Sequence, residues 1–195
     1  MNLDAAQWHA WHGATFPDES WYRDDDEQLC AIVGAPRVDL VSRERYGDFI
    51  LQFEFALPVG GNSGVFYRVD ESAGLAWHSG PEMQLLDDAV HPDGEEPTTR
   101  NGALYGLLAP EQETRIEPGS FMHAALVVRQ GTVEHWLGNR MVLSYRLDDP
   151  ALHTLIESSK FADKPLFAKA PAGHIVLQHH GEAVRFRRLS IEALR

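Results

Sequence analysis

The sequence predicts an all-β fold, a two-sheet antiparallel β-sandwich with one short helix. Three observations carry that expectation. Apolar residues alternate with polar or small ones along 49–57, 65–69, 123–129, 132–137 and 174–180, the period of a strand with one buried face. Glycine, proline and asparagine punctuate these runs at turn spacing. Helical spacing occurs once, where Asp149-Pro150 offers an N-cap and a first-turn proline ahead of Leu152, Leu155 and Ile156.

The chain reads around the stretch Tyr46–Arg68. Phe49, Leu51, Phe53, Phe55 and Leu57 share one face, with Gln52 and Glu54 on the other. Pro58 and the run Gly60-Gly61-Asn62-Ser63-Gly64 reverse the chain, so the spacing predicts a β-hairpin with Val65–Val69. In that second run Val65, Tyr67 and Val69 are expected on one face, Phe66 and Arg68 on the other. Upstream, Leu29–Val33 and Val38–Val41 are short strand candidates, and Trp8, Trp11 and Trp21 are expected to plug a sheet edge or end. Downstream, Glu82–Leu86 turns Met83 and Leu85 inward and Glu82 and Gln84 outward. A polar loop over 89–101 follows, then a meander over 122–145 with turns at Gln130-Gly131 and Gly138-Asn139. In the last strands Gln178 and His180 share a face, and the parity slips between Phe186 and Leu189, predicting a β-bulge at Arg187-Arg188.

Composition narrows the function classes. A chain of 195 residues with 44% apolar and 24% charged residues is ordinary for one globular domain, here 1–195. No apolar run approaches the roughly 20 residues of a membrane span, so no membrane partner is expected. A net charge of −12 argues against nucleic acid. Cys30 is the one cysteine, which excludes an internal disulfide and a cysteine-based zinc site. The first residues show no export signal, so the chain as written reads as cytoplasmic, and as periplasmic or secreted if it is a processed form. The oligomeric state is left open.

Arg68, Glu82 with Gln84, and Gln178 with His180 stand at non-core parity on three separate strands. If those strands are neighbours, one wall carries a carboxylate, an imidazole, a guanidinium and two amides. That set suits a small-molecule carbohydrate: amides and arginine bind hydroxyls, Tyr67, Trp77 or Tyr105 stack on a ring, and a Glu/His pair moves protons.

The motifs YGDF, GGNSGVFYR, GPEMQLLDD, GALYGL, VEHWLGN, GHIVLQHHG and VRFRRLSI, in this order over residues 38–194, resemble the 3-keto-disaccharide hydrolase domain family. That resemblance implies a concanavalin A-like lectin/glucanase jelly roll. It also implies an enzyme that cleaves the glycosidic bond of 3-keto-disaccharides or 3-keto-glucosides, as a hydrolase or a lyase. Residues carried over from its motifs are Asn62, Arg68, Glu82, Gln84, Asp87, Tyr105, Gln178, His180 and Arg187. The chain departs from the family pattern at His179, where an acid is usual, and at Arg188, where an amide is usual.

The implied chemistry starts from a C3 ketone, which acidifies the C2 proton. A base removes it, the C1 substituent leaves by β-elimination, and water adds. Glu82 and His180 are expected as base and acid, with Arg68 or a bound divalent metal ion stabilising the enolate; the metal is otherwise unspecified. Asn62, Gln84, Asp87, Tyr105, Gln178 and Arg187 are expected to bind substrate. A sugar-binding module without chemistry is the alternative. An ordinary glycosidase would need two carboxylates, and Glu82 and Asp87, the obvious pair, lie on opposite parities of one strand.

Overall fold

The computed structural model describes residues 4–194. Twelve strands form two antiparallel sheets. The strands are β1 (Trp8–Ala10), β2 (Trp21–Arg23), β3 (Leu29–Ala31), β4 (Leu40–Tyr46), β5 (Phe49–Ala56), β6 (Asn62–Val69), β7 (Glu82–Leu86), β8 (Met122–Arg129), β9 (Thr132–Leu137), β10 (Arg140–Arg146), β11 (Gly173–Leu177) and β12 (Arg185–Ala193). The five-stranded sheet has the order β1-β4-β11-β6-β7, and the seven-stranded sheet β10-β9-β8-β5-β12-β3-β2. The one α-helix, α1 (Pro150–Glu157), follows β10. The chain is thus all-β with one short helix, as the alternation predicts. No helix among the described residues is long and apolar enough to cross a membrane.

Phe49, Leu51, Phe53, Phe55 and Leu57 are each at most 1% exposed and form the central stripe between the sheets. Full burial of each such side chain contributes about 1.5–3 kcal/mol. Val65, Tyr67, Met83, Leu85, Ile175 and Leu177 meet this stripe from the opposing sheet. Trp8 and Trp21 are fully buried in β1 and β2, which lie at the edges of the two sheets. The helix begins as expected, with the Asp149 carboxylate accepting from the Ala151 N–H and Pro150 in the first turn. Only Leu152 is fully buried, and Leu155 faces outward.

Three local expectations around β6 are overturned. β5 and β6 do not pair as a hairpin: β5 lies between β8 and β12 in one sheet, and β6 between β11 and β7 in the other. The turn at 57–61 carries the chain across the sandwich, so the inward apolar faces of the two runs meet across the core instead of lying side by side. Strand β6 also begins at Asn62, so Gly64 lies within it rather than in the turn.

The parity of β6 breaks near its end. Phe66 pairs with Val176 and Val69 with His174, so two residues of β6 oppose one of β11, a β-bulge with Arg68 at φ 51. Val69 therefore joins Phe66, Val41, Ala76 and Val176 on the outer face instead of following Val65 and Tyr67 inward. The bulge expected at Arg187-Arg188 is present. The β12–β5 register shifts between Arg187 and Ser190, with Arg188 at φ 52.

Candidate active site

The outer face of the five-stranded sheet is apolar toward its middle and polar toward β7. Directly opposed pairs share a face, which aligns Gly64 with Gln84 and Phe66 with Glu82 across β6 and β7. Asn62, Glu82, Gln84, Gln178 and His180 there line a cleft of about 230 Å³, closed by Trp77, Asp93, Tyr105 and Lys160 from the surrounding loops.

Local structure explains each placement. An alanine-type Cβ at Gly64 would lie 2.0 Å from Glu82 Oε1, so the absent side chain is what lets the carboxyl fold down over β6. The free side of β7 is covered by residues 102–105. Gln84 N–H donates to the Ala103 carbonyl, Gly102 N–H to the Gln84 carbonyl, and Tyr105 N–H to the Glu82 carbonyl. That pairing sets Tyr105 beside Glu82. The polar 89–101 loop is pinned: Asp88 accepts from the Asn101 N–H, Asn101 accepts from the Leu86 N–H, and Arg100 donates to the Gly94 carbonyl. It brings Asp93 to the cleft 3.5 Å from the Tyr105 hydroxyl, and His91 Nε2 to 3.4 Å from the Asn62 amide. Helix α1 hands the chain to the segment holding Lys160, whose ammonium lies 4.2 Å from the Tyr105 ring centroid and 5.2 Å from that of Trp77.

The electrostatics of the cleft are distinctive. Burial pushes the Glu82 carboxyl up to about 8; Lys160 opposes the shift, and Asp39 and Asp93 add to it. Glu82 therefore carries a proton near neutral pH, and its carboxyl takes no hydrogen bond among the described residues. Burial likewise lifts Asp39, which accepts from the His179 N–H, to about 6. His180 is oriented by Glu182, with Nδ1 3.0 Å from the carboxylate, which leaves Nε2 for a ligand. Gln84 is 1% exposed, yet neither its amide oxygen nor its nitrogen has a partner, and the Gln178 Oε1 is also unpartnered. A buried amide without partners costs about 1–3 kcal/mol, a cost that a bound polar ligand would relieve.

Of the residues expected at the site, Asn62, Glu82, Gln84, Tyr105, Gln178 and His180 come together, and Arg68, Asp87 and Arg187 do not. The bulge turns Arg68 away, and its guanidinium donates to the Gly47 carbonyl and to Asp48 Oδ1 at 3.2 Å. Asp87 accepts from the Gly60 N–H and so holds the turn that precedes Asn62. Arg187 belongs to the other sheet, where it pairs with Glu54 at 2.6 Å and lies over the Phe121 ring. Tyr67, a stacking candidate, is fully buried between the sheets. His179 packs edge-on against Trp21 in the interior, so the departure at this position does not change the groups facing the cleft. Arg188 is exposed and shares Glu54 with Arg187.

Nothing in their sequence positions marks Asp93 and Lys160, which also line the cleft. Both sit in loops without periodicity, and only the length and polarity of 89–101 pointed to the first. Among the described residues no group of three or more His, Cys, Asp or Glu side chains is arranged to hold a metal ion. Among these residues the cleft therefore offers no such ligand cluster for the divalent ion considered above.

The chain is 30% identical over 179 residues to a 3-keto-disaccharide hydrolase of Bacteroides thetaiotaomicron, covering 80% of this chain and 62% of that relative, so it spans less than two thirds of the relative's length. A candidate glycosyl hydrolase from Parabacteroides distasonis superposes with a TM-score of 0.89 at 24% identity, covering 98% of this chain and 90% of that one. A β-glucanase of Bacillus licheniformis shares the fold at a TM-score of 0.56 and 11% identity, over 100% of this chain and 95% of that one. The sequence profile of the 3-keto-alpha-glucoside-1,2-lyase-like domain matches residues 2–192, and the chain belongs to that family.

Proposed function

We propose that this domain cleaves the glycosidic bond of sugars oxidised at C3, by removal of the C2 proton and elimination at C1. The observation that carries the reading is a carboxyl group that keeps its proton near neutral pH, set in one small cleft with a carboxylate-oriented imidazole and unpartnered amides. The name of the Bacteroides relative supports the substrate class.

His180 Nε2 takes the proton from C2, with Glu182 holding the ring and stabilising the imidazolium that forms. The C2–H electrons form a C2–C3 double bond, and the carbonyl pair moves onto the C3 oxygen. As that oxyanion collapses back to the ketone, the double bond shifts to C1–C2 and the C1–O bond breaks. The proton of Glu82 goes to the departing oxygen. Water then adds at C1 and a proton returns to C2, completing a net hydrolysis; release before hydration gives a lyase product. Gln84, Gln178 and Asn62 bind hydroxyls, and Trp77 and Tyr105 supply ring faces.

A second reading has one observation in its favour: Asp93 stands with Glu82 in the cleft, giving the two carboxylates that a direct displacement would use. Direct displacement leaves C2–H untouched. Turnover of a 3-keto-glucoside in D2O, with and without chelator and against an enzyme-free control, is therefore expected to label the product at C2. Glu82→Gln and His180→Ala are each expected to lower cleavage roughly 10²–10⁴-fold. Cleavage without label above the control would favour displacement, and no turnover of any 3-keto-glucoside would leave a sugar-binding module.

A further inference from the structure

We propose that Lys160 is a catalytic residue whose ammonium stabilises the oxyanion formed at C3, an inference that rests on the elimination reading above. Proton removal from C2 moves a full negative charge onto the C3 oxygen, and the cleft needs a positive group there. The arginines that the motifs suggested are engaged elsewhere, Arg68 with Asp48 and Arg187 with Glu54. Among the described residues lining the cleft, Lys160 is the one permanent cation.

Its surroundings suit that task. No carboxylate lies within ion-pair distance and no acceptor within hydrogen-bond distance of the Lys160 ammonium among the described residues, so its donors are unspent. The group is held over aromatic faces instead, 4.2 Å from the centroid of Tyr105 and 5.2 Å from those of Trp77 and Phe161. Aromatic faces position a cation without taking its hydrogen bonds. Partial desolvation lowers the Lys160 pKa from the ordinary lysine value, and the charges of Asp93 and, once ionised, of Glu82 oppose that shift. Lys160 also raises the acidity of Glu82, so the charge that receives the C3 oxyanion helps the neighbouring carboxyl release its proton to the leaving group.

The residue itself is exposed, so replacing it is not expected to disturb folding. The test compares wild type, Lys160→Met and Lys160→Arg on a 3-keto-glucoside in D2O, reading kcat, KM and deuterium at C2. Lys160→Met is expected to lose roughly 10²–10³-fold in kcat and in C2 labelling together, with KM changed little, and Lys160→Arg to retain part of both. A Lys160→Met protein that exchanges C2–H at the wild-type rate, or that changes only in KM, would overturn the proposal. Borohydride added during wild-type turnover is expected to leave the protein mass unchanged. A mass increase by one sugar that Lys160→Met abolishes would mean an imine at Lys160 and would equally overturn the electrostatic role. Wild type that cleaves without labelling C2 defeats the elimination reading and this proposal with it, an outcome separate from a failure at Lys160 alone.

Discussion

Glu82 shows how one side chain acquires its chemistry from its neighbours. Its parity in β7 was legible in the alternation of 82–86, but its acidity was not, because burial over Gly64 and proximity to Lys160, Asp93 and Asp39 depend on loops far apart in the chain. The acid function requires the proton, so kcat is expected to fall as pH rises through about 8, and a profile flat to pH 9.5 would remove Glu82 from that role. The same shift links to stability. The folded pKa lies above the ordinary value of 4.5, so the unfolded chain loses this proton first. The contribution is fully present below pH 4.5 and declines by about 1.4 kcal/mol per pH unit until the folded carboxyl ionises near 8. Glu82→Gln is expected to remove that decline and to unfold at higher urea than wild type at pH 8.5. Gly64→Ala probes the floor beneath the carboxyl. Its Cβ would meet the far end of a flexible side chain, so the fold is expected to persist while the displaced Glu82 loses activity at least tenfold. Wild-type turnover in Gly64→Ala would show that the carboxyl position is not critical.

At the scale of strands and loops, what could be read in advance is what repeats with period two. Glu82, Gln84, Gln178 and His180 stand where parity placed them, since β7 and the β11 segment are regular on that side. Arg68 failed because an inserted residue reverses parity locally, and a positive φ at arginine leaves no mark in the sequence. Arg187 failed for a different reason. Parity puts it on an outer face, as observed, but cannot say which sheet that face belongs to, and strand order depends on pairings between distant segments. The β5–β6 connection departs from the expected hairpin on the same ground, and Lys160 lies in a segment with no period to read. These placements predict contrasting mutants. Arg68→Ala and Arg187→Ala are expected to keep kcat within about threefold of wild type. Each removes a partly exposed ion pair, expected to contribute on the order of 1 kcal/mol. A loss of a hundredfold in kcat for either would return that arginine to the catalytic set.

Across the whole molecule, the two sheets are joined by a chain of buried polar groups. His135 Nδ1 donates to the Gly102 carbonyl at 2.9 Å, Nε2 accepts from the Tyr145 hydroxyl at 3.3 Å, and Tyr145 in turn accepts from the Tyr67 hydroxyl. Burial lowers His135 to about 4, which keeps the ring neutral and makes this one-way order of donors self-consistent. Tyr67 lies in β6 of the five-stranded sheet, and Tyr145 and His135 lie in β10 and β9 of the other. The chain therefore ties the sheet carrying the cleft to the sheet behind it, and through Gly102 it reaches the segment that pairs with Gln84. Tyr145→Phe removes the central member while preserving nearly all of its apolar contact. It leaves the Tyr67 hydroxyl and His135 Nε2 both buried without a partner, at an expected cost of about 1–3 kcal/mol. The urea midpoint should fall accordingly with the slope of the transition unchanged, because the surface exposed on unfolding is the same. Activity per folded molecule should hold, since no cleft-lining side chain belongs to the chain. A double change, Tyr67→Phe with Tyr145→Phe, leaves only His135 Nε2 unpartnered and is expected to cost less than the sum of the two single changes. Strict additivity would mean that the hydroxyls do not act as one network.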